Sequence, residues 1–136
     1  MSGAEFRAGR ESSNEFNESH APAKPDPLTM GNSILFQLKE VSYDRPYTPP
    51  PWAYKYTAKD MEHRRSMPTG DNFWWLEYGG LRDTIKEAEE IRDELLKIGY
   101  GVWDFIKNHP DGRGKGFELE WMRSEERRVG KECRSR

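Results

Sequence analysis

Apolar residues fall into three dense stretches along this chain, Ile34–Val41, Phe73–Tyr78 and Ile85–Ile106, with polar, proline-rich sequence between them. From Ser33 to Val41 the pattern alternates. Ile34, Phe36 and Leu38 share one face and Leu35, Gln37, Lys39 and Val41 the other, which is the period-two signature of a strand. Asn72–Tyr78 is apolar on both faces, with Phe73, Trp75 and Glu77 on one and Trp74, Leu76 and Tyr78 on the other. That pattern predicts a strand covered from both sides, broken by Gly79-Gly80.

The third stretch has helical spacing. Ile85, Ala88, Ile91, Leu95, Ile98, Val102 and Ile106 recur every three or four positions, and Glu87, Glu89, Glu90, Arg92, Asp93 and Lys97 fill the opposite side. This predicts an amphipathic helix from Thr84 to Lys107, opened by a capping box between Thr84 and Glu87. Gly99 and Gly101 lower its intrinsic helicity and suit the close approach of another backbone. A turn at His109–Gly112 and a strand at Phe117–Met122 follow. Upstream, Gly3–Phe16 reads as a helix with few apolar positions, and His20–Leu28 as an extended crossing segment, because Pro22, Pro25 and Pro27 exclude helix. Pro46 and Pro49–Pro51 form a stiff, polyproline-like connector, and Ala58–Ser66 has room for one or two helical turns. The fold class expected is α+β: a few strands with one long amphipathic helix.

Composition limits what such a chain does alone. Of its 136 residues 34% are hydrophobic and 34% charged, a thin supply for an independent core. A net charge of −2 gives no global basic field, so nucleic acid is not an expected partner. No apolar run is long enough for a transmembrane helix, and the first residues lack the apolar stretch of a signal peptide. The last 14 residues, Arg123–Arg136, correspond without a gap to one reading frame of a widely used short-read sequencing adapter. They are expected to be a disordered tail foreign to the gene, leaving residues 1–122 as the natural portion. Taking away the tail's six basic and three acidic residues leaves 16 basic and 21 acidic, a net of −5, and removes Cys133, the chain's one cysteine.

Few positions carry chemistry. There is no GxGxxG, no P-loop, no CxxC pair, no HExxH and no Gly-x-Ser-x-Gly. His20, His63 and His109 lie far apart in polar contexts, so no metal site is expected. In the run Phe73–Gly80, Glu77 is the one acid among aromatics. Low dielectric there would raise its pKa and make it a general acid or base, while Trp74, Trp75 and Tyr78 offer faces to a sugar or a flat ligand. The plainer alternative is core packing, with Glu77 paired to an arginine such as Arg82. Arg7 and Arg10 would share a helix face and could hold a phosphate or carboxylate; a solvated charged face is the alternative.

Several stretches together resemble a bacterial FAD-dependent oxidoreductase family. They are Gly3–Glu11, Glu15–Glu18 with Ala21-Pro22, Leu28–Ser33, Pro50–Tyr54, Trp74–Gly80, Glu90–Lys97 running on through Tyr100–Asp104, and Glu118–Trp121. The resemblance covers nearly all of residues 2–122 in order. It implies a Rossmann-like FAD domain with an α+β substrate domain, similar to fumarate-reductase-type flavoproteins. This chain would correspond to the internal portion that covers the flavin and shapes the substrate pocket. The cofactor implied is FAD, with Arg7 and Arg10 as its candidate contacts. The partner implied is a small-molecule substrate, carbohydrate use being a hint. Members of the family carry an N-terminal Gly-rich dinucleotide motif that is missing here, so the chain is expected to be inactive alone, the rest of a parent chain being absent. The rival expectation is a small carbohydrate- or partner-binding module using Trp52, Trp74, Trp75 and Tyr78; the sparse core and the lack of disulfides weigh against it. A structural or regulatory protein is a third.

Overall fold

The structure, a computed structural model, describes residues 9–69, 73 and 75–124. The chain is a small α+β domain: a three-stranded antiparallel sheet and one long helix. The elements are α1 (Ser13–Phe16), β1 (Asn32–Glu40), β2 (Glu77–Tyr78), α2 (Ala88–Lys107) and β3 (Phe117–Ser124), with β1 central between β2 and β3.

The alternation in β1 works as its sequence demands. Ile34 and Phe36 are buried and Leu38 packs beside them, facing Ile91, Leu95, Val102, Trp103 and Ile106 of α2. Opposite β1, the register of β3 slips between Gln37 and Leu38: Gln37 pairs with Trp121 and Leu38 with Leu119, which leaves Glu120 as the extra residue of a bulge. The slip lets Leu119 and Met122, whose spacing is odd, both pair with core-facing positions of β1. β3 runs two residues into the segment read as foreign, Arg123 pairing with Leu35 and Ser124 with Ile34. Backbone ladders are indifferent to side-chain identity, so this pairing does not bear on where those residues came from.

The glycines of α2 admit neighbours. A side chain on Gly101 would strike the Tyr54 carbonyl of the proline-rich connector, and one on Gly99 would meet Met122 Sδ at 2.8 Å. The connector crosses the helix at this point, and Tyr54 N–H donates to the Lys97 carbonyl at 3.2 Å.

Four expectations need correction. The helix over Gly3–Phe16 is, among the described residues, only the single turn α1, ended by Asn17 in the left-handed region. Arg10 sits instead in a β-bridge with Asp26, where the proline-bearing segment runs back alongside it. Of the strand expected over Asn72–Tyr78, the described residues form only Glu77–Tyr78. Phe73 takes φ 48° and its carbonyl accepts from Leu76 N–H, so the chain turns, and Phe73 and Leu76 enter the core together instead of on opposite faces. The capping box does not form: Glu87 caps nothing with its side chain. Asp83 takes over the capping role, accepting from the backbone of Ile85 and Lys86, and these bonds hold its carboxyl below the usual range. The regular helix starts only at Ala88, and Ile85, counted in the apolar stripe, is exposed.

Candidate functional site

Three segments far apart in sequence meet on one side of the molecule. The first is Gly9-Arg10. Gly9 has φ 101°, and a side chain there would collide with the Asp26 backbone, so glycine permits the bridge. The Arg10 guanidinium forks onto the Asp26 carboxylate, Nε to Oδ1 at 3.0 Å and Nη2 to Oδ2 at 2.5 Å. The bond from Arg10 holds the Asp26 carboxyl low, and Asp26 raises Arg10 in return.

The second segment is Leu28–Gly31. Asp26 Oδ1 accepts from Leu28 N–H at 3.0 Å, turning the chain towards Thr29. The Thr29 hydroxyl donates to the Arg82 carbonyl at 3.4 Å, tying this segment to the third, Tyr78–Arg82, and lies 3.2 Å from the hydroxyl of Thr84 just beyond it. There Asn32 pairs with Tyr78 in the sheet, and an added Cβ on Gly31 would come within 2.9 Å of the Tyr78 carbonyl. Gly79 turns the chain with φ 95°, pressed so close to Ile91 that a side chain would not fit. Arg82 donates to Glu87 and is raised by it, with a further bond to the Tyr78 hydroxyl.

These segments line adjoining recesses. One of about 630 Å³ runs from Arg10 along Asn17–Pro22 and includes His20. One of about 420 Å³ is walled by Gly9, Arg10, Leu28, Thr29, Met30 and Gly80. One of about 460 Å³ is walled by Gly31, Glu77–Gly80, Leu81 and Arg82. Arg10 lines the first and second and Gly80 the second and third, so the three recesses adjoin, and together they are termed the trough. Its ends carry charge of both signs, Arg10 with Glu11 and Glu18, and Arg82 with Glu77. Its middle is walled by Gly9, Leu28, Met30 and Gly80 together with Arg10 and Thr29.

The candidate residues fare differently. Tyr78 and Glu77 line the trough. Glu77, however, is exposed, and of the described aromatics that were to surround it Phe73 is buried in the core and Trp75 packs against it, leaving only Tyr78 beside Glu77. Its suggested partner Arg82 is engaged by Glu87. Trp75 is half-buried, contacts Phe73 and lies under the Arg64 guanidinium at 5.4 Å, away from the trough lining. Trp52 is half-exposed and meets Tyr100 edge-on, so no ring contact joins Trp52, Trp75 and Tyr78 among the described residues. Arg10 lines the trough with its guanidinium taken by Asp26 and without the helix that was to align it with Arg7. Trp74 and Arg7 lie outside the described residues. Among those residues no group of histidines, cysteines and carboxylates could hold a metal, and no helix is long and apolar enough to cross a membrane.

Sequence reasoning missed Met30 and Leu81, two large apolar side chains that stand almost free in solvent beside the trough. No periodicity marks them. The one available signal was a neighbouring glycine in each case.

Comparison with protein families, with curated proteins and with solved structures finds no match to this chain.

Proposed function

We propose that this chain is the substrate-side portion of an FAD-dependent oxidoreductase, derived from the cap region of a Rossmann-like flavoprotein. The reaction class would be hydride transfer between an organic substrate and flavin. One observation carries the reading. Gly9-Arg10, Leu28–Gly31 and Tyr78–Gly80, each within a stretch that bears the family resemblance, converge on one trough although up to about 70 residues separate them.

The described residues do not fit the whole of FAD. A pyrophosphate needs a glycine-rich turn opening a helix. Here the turn before α2 is closed by Asp83, and Arg10 is neutralised by Asp26. The cofactor would be held by sequence outside these residues, and the chain alone would be inactive. What this chain contributes is Glu77 and Tyr78 at the end of the trough, where Glu77 accepts a hydrogen bond or a proton from a substrate hydroxyl once the ligand covers it.

The test extends the reading frame on both sides from an independent DNA source and measures flavin in the purified product. A colourless longer protein would overturn the reading. In a flavin-loaded protein, Glu77→Gln should slow flavin reduction by about 10²–10⁴-fold if Glu77 takes the proton. Because Glu77 is exposed, its thermal midpoint should stay unchanged, and an unaltered rate would remove Glu77 from the chemistry.

A further inference from the structure

We propose that Trp52, Tyr100 and Asp104 form a binding site for a quaternary ammonium cation, the trimethylammonium group of a small molecule. The site lies where the proline-rich connector rests on α2, and none of its three residues lines the trough. The connector runs against the direction of the helix. Asn108 Nδ2 donates to the Tyr47 carbonyl at 3.2 Å, the Trp52 ring lies against Tyr100, and Tyr54 N–H donates to the Lys97 carbonyl. This course places the indole of Trp52 beside the helix face that carries Tyr100.

Two aromatic rings stand at a right angle there. The centroids of Trp52 and Tyr100 are 5.3 Å apart and their planes meet at 87°, so the pair makes a corner with electron-rich faces. Trp52 keeps 50% of its surface in solvent, which leaves the corner open to a ligand. Asp104 follows Tyr100 by four residues on α2, one turn on and on the same face. Its position near the rings has an independent sign: burial first, then the charge of Asp104 and then Tyr100, push the Tyr47 hydroxyl up to about 12. Among the described residues Asp104 makes no ion pair; its Oδ1 accepts from Asn108 Nδ2 at 2.6 Å, a neutral donor that leaves the negative charge uncompensated. Glu94, the other carboxylate beside the connector, is taken by Lys97 and by the Tyr54 hydroxyl.

The ligand's class follows from these groups. A cation gains from ring faces and carboxylate together, and an anion gains from neither. A bare ammonium or a guanidinium brings several N–H donors, and one carboxylate among aromatic rings cannot replace the water they would lose. A quaternary ammonium has no N–H to satisfy and presents methyl groups to the aromatic walls. This inference rests on ring geometry and charge and does not use the oxidoreductase reading.

Choline is the probe, titrated against the full chain, with the assigned indole N–H resonance of Trp52 as the readout. A saturable shift of that resonance is expected. Neopentyl carbinol, the uncharged carbon analogue of choline, should bind about tenfold or more weakly, because it keeps the shape and loses the charge. Asp104→Asn should weaken choline binding by about tenfold. That variant retains an acceptor for Asn108, so it should melt with the wild type. Absence of a saturable shift with choline, equal binding of the neutral analogue, or unchanged binding by Asp104→Asn would overturn the proposal. Flavin content of the extended protein is a separate readout, so failure here leaves the oxidoreductase reading to its own test.

Discussion

The ammonium of Lys107, at the end of α2, donates to Asp44 Oδ1 at 2.5 Å while only 4% of its side chain remains exposed. The same nitrogen donates to the carbonyls of Gly114 and Phe117 at 3.1 and 2.9 Å. One lysine therefore fastens the connector, the loop after the helix and the start of β3. Lys107→Met should destabilise the fold by about 1–3 kcal/mol, the usual cost of leaving buried carbonyls unpaired. Asp44, itself half-exposed, would be hydrated and add little. The urea midpoint measures this, and an unchanged midpoint would show the three carbonyl and carboxylate contacts to be dispensable.

Acid should loosen the same junction. The bond from Lys107 holds the Asp44 carboxyl below its ordinary value. Asp26, Asp60, Asp83, Glu94 and Asp111 are likewise held low, by Arg10, Thr57, the backbone of Lys86, Lys97 and Arg113 respectively. A group depressed on folding stabilises above its unfolded pKa, near 4 for a carboxylate, and loses that contribution as pH falls towards the folded value. Stability should be flat from neutrality to about pH 5 and fall below it. Asp44→Asn should lower the plateau and shallow the acid limb, as followed by thermal midpoints across pH. A parallel shift at every pH would contradict the assignment.

Gly101 and Gly99 make a matched pair. Alanine gains about 1 kcal/mol of helix propensity over glycine at either position. At Gly101 the new methyl meets the backbone of Tyr54, which cannot yield, so Gly101→Ala should cost about 1–3 kcal/mol net. At Gly99 the obstacle is the Met122 thioether, which can rotate, so Gly99→Ala should be close to neutral. Denaturant titration of the two variants side by side checks the order; the reverse order would mean the connector does not sit on the helix.

Leu95 is fully buried where α2 meets the sheet. In proteins most of a helix's stability comes from packing of its amphipathic face, so α2 depends on that docking. Leu95→Asp should abolish cooperative melting and sharply reduce far-UV ellipticity. A retained helical spectrum would show that α2 stands without the sheet.

What could be read beforehand was whatever a single period governs. The stripe Ile91, Leu95, Val102 and Ile106 and the alternation of Ile34 and Phe36 each depend on one element's geometry, and both are realised. The run from Phe73 misled because aromatic density imitates a doubly covered strand, whereas the positive φ of Phe73 turns the backbone there. The cap moved from Thr84 to Asp83 because a carboxylate one residue earlier outcompetes a hydroxyl, and Thr84 is drawn to Thr29 across the trough. The trough itself had no linear signature. Gly80 suggested a close approach, but nothing near it in sequence says that the approach is to Gly31.

β1 is the central strand, yet its long partner β3 arrives last, Glu40 waiting for Phe117. At translation rates of about 5–20 residues per second, that wait is on the order of ten seconds. During it, the apolar face of Ile34, Phe36 and Leu38 has only the two residues of β2 and the growing helix for company. Pairing of β1 with β3 therefore comes only after α2 has been made, and until then the nascent chain carries an adhesive apolar face that is not yet closed off.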